Sequence, residues 1–154
     1  MMALAHIALV AVGGALIGAS IMGSQNAQER GLVRVASRHS VLDTIARLDS
    51  LLSARGVRVF ARIDFSGDAH RAGLTLRPEQ LLLFGNPKGG TPLMVAEPTA
   101  GIDLPFKVLV WEDGEGRSWL AYNAPDYIVA RHGLDAAFGK NLAALVPLIE
   151  QAAN

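Results

Sequence analysis

Hydrophobic and polar positions divide this chain into two unlike parts. From Met1 to Gly23 there is no Asp, Glu, Lys or Arg, and Leu4, Ile7, Leu9, Val10, Leu16 and Ile17 are spaced chiefly by Ala and Gly. At about 1.5 Å of rise per residue, such a run as a helix reaches roughly across a bilayer core. It is predicted to be an N-terminal apolar helix, serving as a signal peptide or a membrane anchor. No Lys or Arg precedes it, and its nearest small-x-small site is Gly18-Ala19-Ser20. A buried core helix and a start at Met22 are the competing explanations. Residues 24–30 then read as a polar linker.

From residue 31 the pattern alternates between strand and helix periods. Leu32 to Ala36 reads as a short strand. Ser40 caps a helix, with Asp43 in a capping-box-like position and Val41, Ile45, Leu48 and Leu52 on one stripe, and Gly56 stops it. Val57 to Phe65 alternates strictly, placing Val57, Val59, Ala61, Ile63 and Phe65 on one side and Arg58, Arg62 and Asp64 on the other. One wet face implies an antiparallel sheet covered on one side. A helical patch follows at Asp68 to Ala72, then a buried strand at Leu81 to Phe84. Thr91-Pro92 reads as a helix entry, cut short by Pro98.

Phe106 to Glu112 and Arg117 to Asn123 flank Asp113-Gly114-Glu115-Gly116, the signature of a hairpin. Pro125 opens a helix that Gly133 closes. A last helix carries Phe138, Leu142, Leu145 and Ile149 on one stripe, with Pro147 kinking or dividing it. The order is β-α-β-(α)-β-α-β-β-α-α. The economical fold is α+β: an antiparallel or mixed sheet with helices mainly on one face, forming a single domain over residues 31–154.

Composition narrows the chemistry. Of 154 residues, 14 are Lys or Arg and 14 are Asp or Glu, and this zero net charge lacks the basic footprint of a nucleic-acid binder. There is no Cys, which excludes disulfides, thiolate metal sites and thiol nucleophiles. At 51% hydrophobic and 18% charged, the chain is globular rather than disordered.

Candidate sites lie at predicted element ends. Gly85-Asn86-Pro87-Lys88-Gly89-Gly90-Thr91-Pro92 leaves a strand, turns through glycines and enters a helix, so its backbone amides beside Lys88 form a candidate anion seat. It is no P-loop, because Thr91 stands where the lysine should follow Gly90. The competing explanation is a tight turn whose glycines serve geometry alone. Asn86, Lys88, Gly90, Thr91, Tyr122 and Asn123 are the candidate ligand contacts. For acid/base chemistry, Asp103 and Glu97 are the candidate bases and Lys88 and Arg131 the candidate anion holders. Against this, Asp103 also suits a turn cap, Tyr122 and Trp119 hairpin packing, and Asn123 a helix cap before Pro125. His70 and His132 are the metal candidates, but no H-x-x-x-H pair supports a dedicated site. No cofactor is designated.

Three ordered blocks then carry a family resemblance. Phe84 to Met94 (FGNPKGGTPLM), Pro98 to Asp113 (PTAGIDLPFKVLVWED) and Tyr122 to Leu134 (YNAPDYIVARHGL) resemble the domain-of-unknown-function 302 family. The likeness extends through Ile63-Asp64, Ala72-Gly73-Leu74 and Leu76-Arg77-Pro78, and covers most of residues 32 to 135. It implies a small α+β domain on an antiparallel sheet and implies no activity. Its matching positions are Asn86, Lys88, Thr91, Asp103, Tyr122, Asn123, Arg131 and His132, and Gly89 stands where a larger residue is expected.

The functional expectation is a cell-envelope domain, exported to the periplasm or held in the membrane by its N-terminal run, that binds a small molecule or protein partner without catalysis. One alternative is an enzyme using Asp103 or Glu97 with Lys88 or Arg131 on a small anionic substrate. A second is an oligomerisation module, such as a homodimer, exposing an apolar patch at the final helix or an edge strand.

Overall fold

The computed structural model describes residues 31–154, so the predicted apolar helix and linker of residues 1–30 lie outside the described residues. Five strands form one sheet: β1 (Leu32–Ser37), β2 (Arg58–Asp64), β3 (Glu79–Gly85), β4 (Phe106–Glu112) and β5 (Ser118–Asn123). Their order is β1-β5-β4-β3-β2, and every neighbouring pair is antiparallel. The mixed-sheet option therefore gives way to the antiparallel one.

Helix α1 (Val41–Ala54) carries the chain from one sheet edge to the other. Ser40 caps it as expected: its hydroxyl accepts from Asp43 N at 3.1 Å and donates to the Asp43 carboxylate at 2.7 Å. The stripe Val41, Ile45, Leu48, Leu52 is buried against the sheet, and Gly56 ends the helix at a φ of 65° that favours glycine. Opposite it, Leu82, Phe84, Phe106, Val108, Val110 and Leu120 supply the sheet side of the core. The short helix α5 (Gly139–Ala143) and α6 (Val146–Ala153) complete the layer. Pro147 divides this last stripe by sitting in the first turn of α6, where its missing N–H has no partner to lose.

Two elements depart from the sequence pattern. The strict alternation of Val57 to Phe65 is interrupted by a bulge between Val59 and Ala61. Val57 and Val59 pack on the core, as predicted. Beyond the bulge, Ala61 and Ile63 pair with Leu83 and Leu81 on the opposite face, while Arg62 pairs with Leu82 on the helix side. There Arg62 meets Asp49 of α1 at 3.5 Å. A period of two cannot foresee an extra residue, and one extra residue exchanges the faces of everything after it. Phe65 is not the strand's last residue but the first of helix α2 (Phe65–Arg71), capped by Asp64 through Gly67 N at 3.0 Å.

The second departure is helix α3, which spans Pro87–Ala96 and so begins four residues before the helix entry expected at Thr91-Pro92. Asn86-Pro87 is itself a cap followed by a first-turn proline, so Gly89 and Gly90 are helical. A Cβ at Gly89 would lie 3.3 Å from the Cβ of Asn141, so the absent side chain lets α3 approach α5 closely. The larger residue expected there would collide with that helix.

The uncovered sheet face is not the wet face predicted. In register across it run Ile63, Leu81, Leu109, Ala121 and Arg34, beside Glu79, Trp111, Trp119 and Ala36. Most of these side chains are half-buried, and Trp111 and Trp119 stack at 6.5 Å between centroids. The β4–β5 hairpin closes as predicted, on an Asp113 carboxylate that accepts from Glu115 N, Arg117 N and Trp119 Nε1. Those donors, the Arg117 amide first, hold the Asp113 carboxyl far below its ordinary value.

Candidate functional site

The last residues of β3, the first turns of α3, helix α5 and the loop entering β4 enclose a cavity of about 310 Å³. Its walls are the α3 stripe Pro87, Gly90, Thr91 and Met94, at spacings of three, four and seven residues, faced by Leu104-Pro105-Phe106 and by Leu142 and Leu145. Asn86 and Asn141 are the amides among the lining residues, and no ionisable side chain among the described residues lines it. Phe60, the residue thrown out by the bulge, stands at the mouth, 42% exposed.

The predicted anion seat is filled by the protein itself. Pro87 has no N–H. Lys88 N donates to the Asn86 side chain at 2.9 Å, and Gly89 N and Gly90 N both donate to Asn86 O, at 2.9 and 3.0 Å. A helix start offers an anion only those amides that lack another partner. This end of α3 therefore presents apolar surface and a dipole, with its first donors already engaged. Asn86, Gly90 and Thr91 line the cavity, whereas Lys88 is exposed beside it. Tyr122 lies elsewhere, buried with its ring 5.9 Å from that of Phe106. Burial, reinforced by Glu150, raises its phenol's pKa. Asn123 borders an open depression on the outer sheet face with Leu109, Trp111 and Lys107. It does not cap the next helix: α4 (Pro125–Arg131) starts from Ala124 without a side-chain cap.

The acid/base candidates do converge, in a second place. Asp103 is 9% exposed, and its two oxygens meet Arg131 Nη1 at 3.2 Å and His132 Nε2 at 2.7 Å. On the far side of the imidazole, Nδ1 lies 3.0 Å from Thr99 Oγ1, which donates to Glu97 at 2.8 Å. Glu97 also caps the 3-10 turn Pro98–Ile102 through Thr99 N, and these two Thr99 donors lower its pKa. Asp103 thus closes that turn, its N–H donating to Ala100 O at 3.1 Å, and its carboxylate bridges the turn to the end of α4. Lys88 does not join this cluster, since it sits at the start of α3. His70 is exposed on α2, and among the described residues no group of three potential ligands could hold a metal ion. Lys107, lowered in pKa by burial, donates to Ile102 O and Pro105 O, both at 3.3 Å.

A family profile described as domain of unknown function DUF302 matches residues 33–152. This chain belongs to the DUF302 family. The chain is 44% identical over 118 residues to proteins named fluoride-specific ion channel FluC 1 from Brucella suis biovar 1 (strain 1330) and from Brucella abortus biovar 1 (strain 9-941). Those stretches are 77% of this chain but 46% and 44% of the relatives, so the chain spans less than half their length. Among the described residues, no helix is long and apolar enough to cross a membrane. A solved structure of an uncharacterized conserved DUF302 protein from Bacillus stearothermophilus matches with a TM-score of 0.67 at 20% identity. It covers 80% of this chain and 95% of that one, and shows the same fold.

In this DUF302 domain the blocks quoted above are contiguous in space. The first supplies the α3 wall of the cavity, and the second and third supply the Asp103 bridge beside it. Sequence reasoning missed Met94, Leu104, Phe106, Leu142, Leu145 and Phe60 as lining residues. The signal was there for the first, since a helix started at Pro87 puts Met94 on the stripe of Gly90 and Thr91. Nothing local announces the others, because tertiary packing brings them in. Among the described residues, the exposed large apolar side chains include Val95, Ile102, Leu74 and Leu42, and none lies on the final helix, whose apolar face is buried against α1.

Proposed function

We propose that this DUF302 domain is a binding module for a small, largely apolar ligand, acting without a chemical step at the cell envelope. The cavity carries the proposal. Its volume lies at the lower end of the roughly 300–1,000 Å³ typical of ligand pockets, and its walls are predominantly apolar with a few fixed amides. The acid/base candidates support the same reading, because both Asp103 oxygens are engaged by the protein's own side chains, Arg131 and His132.

Thermal unfolding of the full chain with neutral probes (1-octanol, indole, 2-naphthol) tests it. A probe at 100 times its Kd adds about 2.7 kcal/mol of stability. In Gly90→Leu, the new Cβ makes ordinary contact 3.7 Å from Leu104 Cδ1 and the rest of the side chain enters the cavity. The shift is expected in the native protein and absent in Gly90→Leu. No shift with any probe, or a shift that survives the leucine, overturns the proposal.

Location at the envelope rests on the uncharged run of residues 1–23, and relatives named as ion channels support it. The N-terminal mass of the native protein checks this. A membrane-bound species retaining the run, or an exported one trimmed near Ala19, is expected. A soluble cytoplasmic protein beginning at Met22 refutes it.

A further inference from the structure

We propose that the ligand of this cavity is an amphipathic anion, with its apolar body between α3, α5 and Phe106 and its carboxylate held at the mouth by Arg58. The inference rests on the cavity reading above and adds the ligand's chemical class.

The bulge in β2 builds the mouth. By expelling Phe60 from the ladder it aims that ring at the cavity, beside Gly85, whose absent Cβ would sit 3.9 Å from the ring. Arg58, two residues earlier on the same edge strand, lays its guanidinium over this ring, with Cζ 5.0 Å from the centroid. Arg62, Arg131 and Arg117 are spent on Asp49, Asp103 and Asp113. Arg34, Arg38 and Arg55 are, like Arg58, exposed and without a salt bridge among the described residues, but Arg58 is the one stacked on a residue that lines the cavity. Arg58 is exposed and, among the described residues, forms no salt bridge, so its planar fork is open to a carboxylate.

Nothing on the walls competes for the opposite charge. Among the described residues no carboxylate lines the cavity, the exposed Lys88 flanks its α3 wall, and the positive end of the α3 dipole lies on the same side. An anion is favoured at this mouth, and among the described residues the interior offers it no cation. Size sets the body. The cavity is about twice the roughly 150 Å³ that takes up benzene, which suits a phenyl ring with a short alkyl chain.

Calorimetric titration of the full chain with 4-phenylbutyrate and with 4-phenyl-1-butanol separates head from body. The acid is expected to bind about fivefold more tightly than the alcohol, the scale of one exposed charge pair. That preference should shrink with added salt, vanish in Arg58→Gln and persist in Arg58→Lys. Gly90→Leu should abolish both affinities. Equal affinities, unchanged by Arg58→Gln, overturn the anionic class and leave the cavity reading standing. Failure of both probes on the native chain overturns both. Acid binding that survives Gly90→Leu places the anion outside the cavity and also overturns the inference.

Discussion

Asp103→Ala is expected to cost about 3 kcal/mol of stability, the lower end of what removing one partner of a buried ion pair costs. For a folded unit of this size the loss should appear as a fall in Tm of roughly 10 °C. The lower end applies because the partners are unequally buried. His132 has a 5% exposed side chain and would keep an unpaired nitrogen in the interior, whereas Arg131, 48% exposed, can turn to water. Asp103→Asn keeps one carbonyl acceptor without the charge and should cost about half as much. Arg131→Ala should cost about 1 kcal/mol, because the lost guanidinium is half exposed and His132 still holds the Asp103 carboxylate. Denaturant midpoints of the three variants give the order directly. This order distinguishes a structural bridge from a catalytic base, because groups held for catalysis commonly leave stability unchanged or raised when removed. An Asp103→Ala protein as stable as the native one would return Asp103 to the catalytic candidates.

The same residues show what the sequence made legible. Asp103, Glu97, Arg131 and His132 were singled out by residue type and position, and the fold does gather them. Their use was not legible, because Asp103 lies six residues from Glu97 and 28 and 29 from Arg131 and His132, and such spacings do not say whether an oxygen faces solvent or an arginine. The α1 cap, the β4–β5 hairpin and the Pro147 break were readable because each depends on side chains within four residues of one another. The β2 bulge was not: an inserted residue leaves the alternation of Val57, Val59, Ala61 and Ile63 intact in sequence while exchanging faces in space. That one event set the mouth of the cavity. The glycines of α3 misled for a related reason. Glycine marks turns, but it also marks close helix approach, and only the position of Asn141 separates the two.

Phe106→Ala should cost about 3–5 kcal/mol and, unlike other core truncations, should enlarge the response to apolar ligands. Phe106 is 2% exposed and stands in two environments at once. On the core side its ring meets Phe84 edge-on and Tyr122 at a tilt, each with 5.9 Å between centroids. On the other side it forms part of the cavity wall. Truncation therefore opens a void that merges with an existing apolar space, and a ligand large enough to fill both regains contacts the native protein does not offer it. Phe84→Ala is the control. Phe84 is as deeply buried and shares the same ring pair, but it does not line the cavity. Both variants should lose similar stability in the absence of ligand. With 2-naphthol the Phe106→Ala protein should recover more of its loss than the native protein gains, while Phe84→Ala should gain no more than the native protein does. Equal recovery in the two would mean that the probe fills any core void it meets. Recovery in neither would mean that the wall formed by Phe106 does not border a space ligands enter, and the cavity would lose its role as a binding site.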